Sequence, residues 1–219
     1  MLIFLDTIDL KAIEKFVQLG IVDGITTNPS LFLHATQAPI KIIKEIIHMF
    51  PHGIINVEIT EQDHDKAYIQ AVKIRELGNN VVVKIPAHDM YLPLIAQLIK
   101  KQIPINITLV FSVSQAVLMG KMGVQYISPF VGRLYDNGFD GIEILKNIIQ
   151  SFALYGFSTK VLAASLRTID QVNKAIELGV ASVTLAPSLL EEICCNQLTE
   201  QGIQKFAQDW QAQKENLFI

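Results

Sequence analysis

Lys84 stands in Val81-Val82-Val83-Lys84-Ile85-Pro86, an ammonium set among four β-branched residues and followed by a proline. Val and Ile on both parities describe a strand covered on both faces, as in parallel sheets packed under helices. Burial of an amine disfavours its charged form, and a neutral primary amine condenses with carbonyls to give Schiff bases. The alternative is an edge strand on which Lys84 points outward and deters aggregation. Asp6 ends a short apolar run, Leu2-Ile3-Phe4-Leu5, and suits acid/base work or a helix N-cap; Asp9 is the better cap. Glu58, between Val57 and Ile59, is expected either to relay protons or to pair with Lys84, and the two roles overlap.

Other polar residues gather where apolar runs end. They are Thr26, Thr27 and Asn28; Asn106 and Thr108; Ser128 and Arg133; Ser165 and Arg167. Pro29 fixes a turn that can hold the Asn28 amide against a substrate hydroxyl. Arg133, and Ser165-Leu166-Arg167 ahead of a helix near Thr168, suit an oxyanion such as phosphate, with solvated surface arginines as the alternative. His34, His48, His52, His64 and His88 show no ligand spacing, so no metal or other cofactor is assigned. A Gly-x-Ser-x-Gly elbow is absent, which argues against a serine hydrolase.

Positioning these groups needs a regular frame, and the hydrophobic periodicity supplies one. Strands are expected over 2–6, 24–27, 54–59, 81–86, 105–110, 126–130, 160–165 and 182–187. Amphipathic helices are expected over 10–19, 40–50, 64–77, 91–100, 114–122, 141–155, 169–178 and 189–195. Eight strand-then-helix units predict an α/β fold, a (β/α)8 TIM barrel forming one domain over residues 1–219. A doubly wound open sheet is the alternative, but no Gly-x-Gly-x-x-Gly follows a strand. The barrel puts chemistry at the carboxyl ends of the strands, where every strand but the eighth carries a polar group. A further helix over 199–216, opened by a capping-box-like Thr199-Glu200-Gln201-Gly202, has no strand to cover. Its apolar face is expected to pack on a neighbouring subunit or back across its own barrel.

Composition narrows the partners. Charged residues make up 18% of 219 and the net charge is -3, so no basic face suits nucleic acid or anionic lipid. No stretch is long and apolar enough for a membrane span, and the amino terminus lacks a basic n-region. Cys194 and Cys195 are adjacent, which suits neither an ordinary disulfide nor a zinc motif and fits a reducing cytoplasm.

Five segments in order carry a resemblance: Thr26-Thr27-Asn28-Pro29-Ser30-Leu31, Val83-Lys84-Ile85-Pro86, Asn106 to Ser112, Ser128-Pro129-Phe130-Val131-Gly132-Arg133, and Ala164-Ser165-Leu166-Arg167. Together they resemble the transaldolase family, and the length and the Leu198 to Trp210 segment are similar to its short, fructose-6-phosphate aldolase-like branch. The resemblance implies a Schiff-base Lys84, an acid/base Asp6, and Glu58 with Thr108 holding a catalytic water. It implies a dihydroxyacetone subsite formed by Thr26, Asn28, Asn106, Ser128 and Phe130, and a phosphate clamp of Arg133, Ser165 and Arg167. Glu58 and Phe130, where aldolase members tend to carry glutamine and tyrosine, look like transaldolase. The reaction implied is transfer of dihydroxyacetone between sugar phosphates, in the pentose phosphate pathway, by a homo-oligomer of five or ten subunits. The alternatives are an aldolase that releases free dihydroxyacetone and a phosphosugar-binding barrel without turnover. Ile8 and Ala186-Pro187-Ser188 depart from the family pattern without touching a catalytic role.

Overall fold

The computed structural model describes residues 1–212. Eight parallel strands pair in chain order: β1 (Leu2–Asp6), β2 (Gly24–Thr26), β3 (Ile54–Glu58), β4 (Val81–Pro86), β5 (Ile105–Val110), β6 (Tyr126–Pro129), β7 (Lys160–Ala163) and β8 (Ser182–Leu185). β8 pairs with β1 and closes the ring. Helices return the chain between strands: α1 (Leu10–Gln18), α2 (Pro39–Met49), α3 (His64–Arg75), α4 (Leu92–Lys100), α5 (Val113–Met122), α6 (Val131–Asp136), α7 (Gly141–Tyr155), α8 (Ile169–Glu177) and α9 (Pro187–Cys194). α10 (Gln197–Gln211) follows the last unit. This is a (β/α)8 barrel, and no helix among the described residues is long and apolar enough to cross a membrane.

Strand alternation sorts the side chains into two compartments. Odd-numbered residues of β4, Val81, Val83 and Ile85, join Ile13 and Phe16 of α1, Leu94 and Leu98 of α4 and their neighbours in the apolar layer between strands and helices. Each such aliphatic side chain contributes roughly 1.5–3 kcal/mol when fully buried. Even-numbered residues face the barrel interior, where Phe4, Val82, Tyr126 and Leu162 form a separate plug, with Phe4 edge-on to Tyr126 at 6.0 Å. Gly24 makes room for this plug, since a Cβ there would lie 2.6 Å from the Phe4 ring. Two residues further along each strand the interior turns polar: Phe4 gives way to Asp6, Val82 to Lys84 and Tyr126 to Ser128. The plug therefore forms the floor on which the polar groups stand.

The pattern breaks once on β5. Its pairing with β6 runs Asn106↔Tyr126 and Ile107↔Ile127, then resumes at Val110↔Pro129, so β5 carries one extra residue. Leu109, in that bulge, has φ +56, a left-handed conformation that costs a side-chain-bearing residue roughly 1–2 kcal/mol.

Several local expectations shift. The strands expected to reach 27, 59, 130, 165 and 187 end one to two residues sooner, because their last residues turn into loops or helices at the barrel mouth. Phe130 keeps an isolated bridge to Ala164. α6 was not expected; six residues are too few to show a helical period. The last helix begins at Gln197 rather than 199, because Asn196 caps it by accepting from the backbone N–H groups of Leu198 and Thr199. Residues 213–216 of that expected helix lie outside the described residues. Within 197–211 no side chain is buried, and Leu198, Ile203 and Phe206 are exposed.

Candidate active site

Lys84 is 4% exposed although it stands near the barrel mouth, which removes the edge-strand alternative. Its Nζ donates to the Thr27 carbonyl at 2.9 Å and lies 3.1 Å from Glu58 Oε2. β3 and β4 bring these residues together, since Glu58 is the register partner of Lys84. The pairing foreseen for Glu58 is therefore formed, and the same contact gives the amine a proton acceptor.

Asp6 accepts a 2.8 Å hydrogen bond from Thr26 Oγ1. The Thr26 hydroxyl has one proton to give, so the 2.6 Å contact with Thr184 must run from Thr184 to Thr26. Burial pushes the Asp6 carboxyl above its ordinary value; the Lys84 charge, the Thr26 hydroxyl and the Asn28 amide oppose that rise without cancelling it. Asp9, as expected, caps α1 and leaves Asp6 free of that duty. Asn28 is extended, at φ -149, and its Oδ1 caps the 3-10 turn Pro29–His34 by accepting from Leu31 N–H at 3.2 Å.

A fully buried amide chain lies below. Asn106 Nδ2 donates to Asn56 Oδ1 at 2.9 Å, and Ser128 Oγ donates to Asn106 Oδ1 at 2.8 Å. Thr108 is equally buried, yet its Oγ1 has no hydrogen-bond partner among the described residues. An unpaired buried hydroxyl is costly, on the order of 1–3 kcal/mol, and marks a place built to meet something polar.

The opposite side of the mouth is cationic. Arg133 lies on α6 with its guanidinium 5.1 Å from the Phe130 ring centroid. Ser165 follows β7 in a left-handed conformation, φ +59, and its carbonyl accepts from Gly132 N–H at 3.0 Å. Gly132 is needed there, because a Cβ would lie 2.0 Å from that carbonyl oxygen and 3.0 Å from Arg167 Nε. Arg167, just before the α8 cap Thr168, makes a two-point contact with Asp136, both bonds 2.7 Å. That fork leaves Nε–H and one proton on each terminal nitrogen for another anion.

A cavity of about 410 Å3 joins Lys84, Asp6 and Glu58 to Arg133, Ser165 and Arg167. Thr26, Asn28, Ser128 and Phe130 also line it, whereas Asn106 and Thr108 lie outside the lining. A larger groove, about 890 Å3 between α2 and α3, shares Asn28, Pro29 and Glu58 but holds neither Lys84, Asp6 nor an arginine. The smaller cavity is therefore the candidate active site. Among the described residues no three His, Cys, Asp or Glu side chains are grouped to hold a metal.

The sequence left β8 without a polar contribution, and that reading is corrected by Thr184, which lines the cavity and bonds Thr26. Its signal was the alternation Ser182-Val183-Thr184-Leu185, two inward hydroxyls in an otherwise apolar strand. Asn56 and Asp136 were also missed. Asn56 shares the inward parity of Glu58, but Asp136 gave no signal, since its partner is 31 residues away.

Residues 3–217 match the family described as Transaldolase/Fructose-6-phosphate aldolase. Proteins described as probable transaldolases are 38% identical over 210 residues in Caulobacter sp. (strain K31), covering 96% of both chains, and 39% identical over 215 residues in Nitrosopumilus maritimus (strain SCM1), covering 98% of this chain and 96% of that one. One from Dehalococcoides mccartyi is 38% identical over 213 residues, covering 97% of this chain and 99% of that one. Among solved structures, thiamine phosphate pyrophosphorylase from Pyrococcus furiosus superposes with TM-score 0.59 at 16% identity, over 84% of this chain and 85% of that one. A mandelate oxidase mutant superposes with TM-score 0.61 at 13% identity, over 85% of this chain and 65% of that longer one. These two share the fold alone.

Proposed function

The chain belongs to the transaldolase/fructose-6-phosphate aldolase family, and from that premise we propose that it is a transaldolase working through a Schiff base on Lys84. The observation that carries this reading is the Lys84 amine, buried 3.1 Å from Glu58, in one cavity with Asp6 and the Arg133–Arg167 pair. The donor is a ketose phosphate, sedoheptulose 7-phosphate or fructose 6-phosphate, whose phosphate meets Arg133, Ser165 and Arg167.

Glu58 takes a proton from Lys84, and the amine's lone pair attacks the C2 carbonyl. The resulting carbinolamine loses water, which Glu58, 3.1 Å from the amine, and the unpartnered hydroxyl of Thr108 on the adjacent strand would hold, and becomes a protonated imine. Asp6 then takes the proton of the C4 hydroxyl. The C3–C4 bond breaks, its electron pair moves to C3 and into the imine to make an enamine, and an aldose phosphate leaves. The acceptor, glyceraldehyde 3-phosphate or erythrose 4-phosphate, is attacked by the enamine carbon; Asp6 returns its proton to the new hydroxyl, and hydrolysis frees Lys84. Burial of Asp6 keeps its proton affinity high, which suits a group that must both take and give.

Borohydride reduction in the presence of fructose 6-phosphate tests this reading. It should leave a stable mass increase on Lys84, and Lys84→Ala should abolish it. Fructose 6-phosphate should be consumed with erythrose 4-phosphate present and spared without it; consumption without an acceptor would instead identify an aldolase. Sugar-phosphate binding without adduct or turnover would identify a binding barrel. A homo-oligomer completes the proposal, with the exposed Leu198, Ile203 and Phe206 face of α10 covered by a second copy.

A further inference from the structure

Among the described residues, Gln102, Leu109 and Ser165 are the non-glycine positions with positive φ. Gln102 lies in the turn after α4, and Ser165 belongs to the cationic side of the site. Leu109 is unaccounted for. Without the bulge, alternation would send Leu109 outward with Ile107 and place Val110 inside with Asn106. The extra residue reverses both assignments. Val110 is fully buried in the layer under the helices, and Leu109 lines the cavity that holds Lys84 and Asp6. Glycine or asparagine would adopt this backbone more cheaply. A strained leucine persists where its side chain is needed, and here it is aimed into a cavity whose other members are mostly polar.

Phe130 is the other large apolar residue in that lining. Its ring is held edge-on by Phe111, with centroids 5.9 Å apart, and faced by Arg133. We propose that Leu109 is a specificity-determining residue: with Phe130 it forms an apolar wall that keeps water from the Lys84-bound three-carbon enamine, so that the unit is transferred rather than released. The inference rests on the Schiff-base reading above. Release requires the enamine C=C pair to take a proton from water at carbon, restoring the protonated imine. Water then adds at C2, the C–N bond breaks, and dihydroxyacetone leaves while the electron pair returns to Lys84. Transfer needs no water until the product stage. A wall that keeps water off the enamine carbon, while the water that hydrolyses the product imine still reaches C2 from the Glu58 side, therefore slows release selectively.

The test substitutes Leu109→Asn, Leu109→Ala and Leu109→Met and measures free dihydroxyacetone formed per erythrose 4-phosphate converted. Asparagine nearly matches leucine in shape and suits a positive φ, so this variant should fold while bringing a polar group to the wall. Leu109→Asn and Leu109→Ala should raise the release-to-transfer ratio about tenfold or more, with borohydride trapping at Lys84 retained. Leu109→Met, apolar and of similar volume, should keep the original ratio. An unchanged ratio in Leu109→Asn with trapping intact overturns the proposal and leaves the Schiff base standing. Loss of trapping in the unsubstituted enzyme overturns both.

Discussion

Gly132→Ala is the sharpest probe of the anion side of the site. The new Cβ would stand 2.0 Å from the Ser165 carbonyl oxygen, while ordinary contact begins at 3.4 Å. Backbone must yield, because the obstructing atom is a carbonyl rather than the tip of a flexible side chain. Ser165 or α6 has to move apart by about 1.4 Å, and misplacements near 1 Å cost on the order of 100-fold in catalysis. The Gly132 N–H to Ser165 carbonyl bond, 3.0 Å, is stretched or lost, a stability cost of about 1 kcal/mol. Arg133 follows Gly132 directly, and Arg167 Nε is 3.0 Å from the added carbon, so both guanidinium groups lose their placement. Steady-state kinetics on fructose 6-phosphate with erythrose 4-phosphate should show kcat/KM down by about two orders of magnitude. Borohydride trapping of unphosphorylated dihydroxyacetone on Lys84 provides the control, because that ketone does not use the arginines. It should proceed nearly as in the parent enzyme. Unchanged kcat/KM for the phosphorylated pair would refute the assignment of the arginine side as the phosphate clamp. Loss of trapping in step with turnover would refute the separation of the two subsites.

Under the proposed mechanism Asp6 sets the acid side of the pH profile. It must be ionised to accept the C4 hydroxyl proton, and its folded value is raised by burial above 3.8, so kcat/KM should fall with decreasing pH along a limb centred above 3.8. Thr26→Val removes the 2.8 Å hydrogen bond that favours the carboxylate, and the limb should move to higher pH; a shift downward would contradict the geometry. The same raised value makes a stability prediction: the contribution from protonated Asp6 is fully present below 3.8 and is lost as pH rises through the folded value. Relative to the parent, Asp6→Asn should therefore gain thermal stability between pH 4 and neutrality, about 1.4 kcal/mol for each tenfold difference between folded and unfolded proton affinity, and a pH-independent difference in Tm counts against it. Ile203→Glu with Phe206→Glu places two charges on the exposed face of α10; the mass in solution, by light scattering, should drop to that of a smaller assembly, and an unaltered mass would remove α10 from the interface.

Much of the fold was legible because two periods run cleanly through the chain. Strand segments such as Val81–Pro86 are apolar on both parities, and helices such as α1 bury one stripe, here Ile13 and Phe16. The polar layer was legible for the same reason: Phe4 to Asp6, Val82 to Lys84 and Tyr126 to Ser128 each step by two residues from plug to polar layer. α6 hid because a six-residue helix, Val131–Asp136, carries no period and follows a strand almost directly, with only its cap Phe130 between. The Asp136 to Arg167 fork hid because contacts between consecutive β/α units depend on where loops end. Thr184 was overlooked because the strand was expected to run to Pro187, and its last residues, Leu185-Ala186-Pro187, are apolar and lie past the inward hydroxyl.

Leu109 marks the place where sequence parity and structure part company. Every other inward position from β1 to β8 can be reached by counting in twos from an apolar plug residue or its register partner, so a reader of the sequence places Thr108 and Val110 together inside. The extra residue in β5 undoes that count within one step, sending Val110 under the helices and Leu109 into the cavity. Such a bulge is invisible to periodicity because it changes the phase of a pattern rather than its composition. Glycine would have announced it, and leucine conceals it. The concealment is itself informative, since a residue that fits neither the local backbone preference nor the alternation is retained against two opposing terms. The lysine proposed to form the Schiff base could be found from its improbable surroundings in the sequence; the residue proposed to protect its intermediate from water could be found only from its improbable backbone.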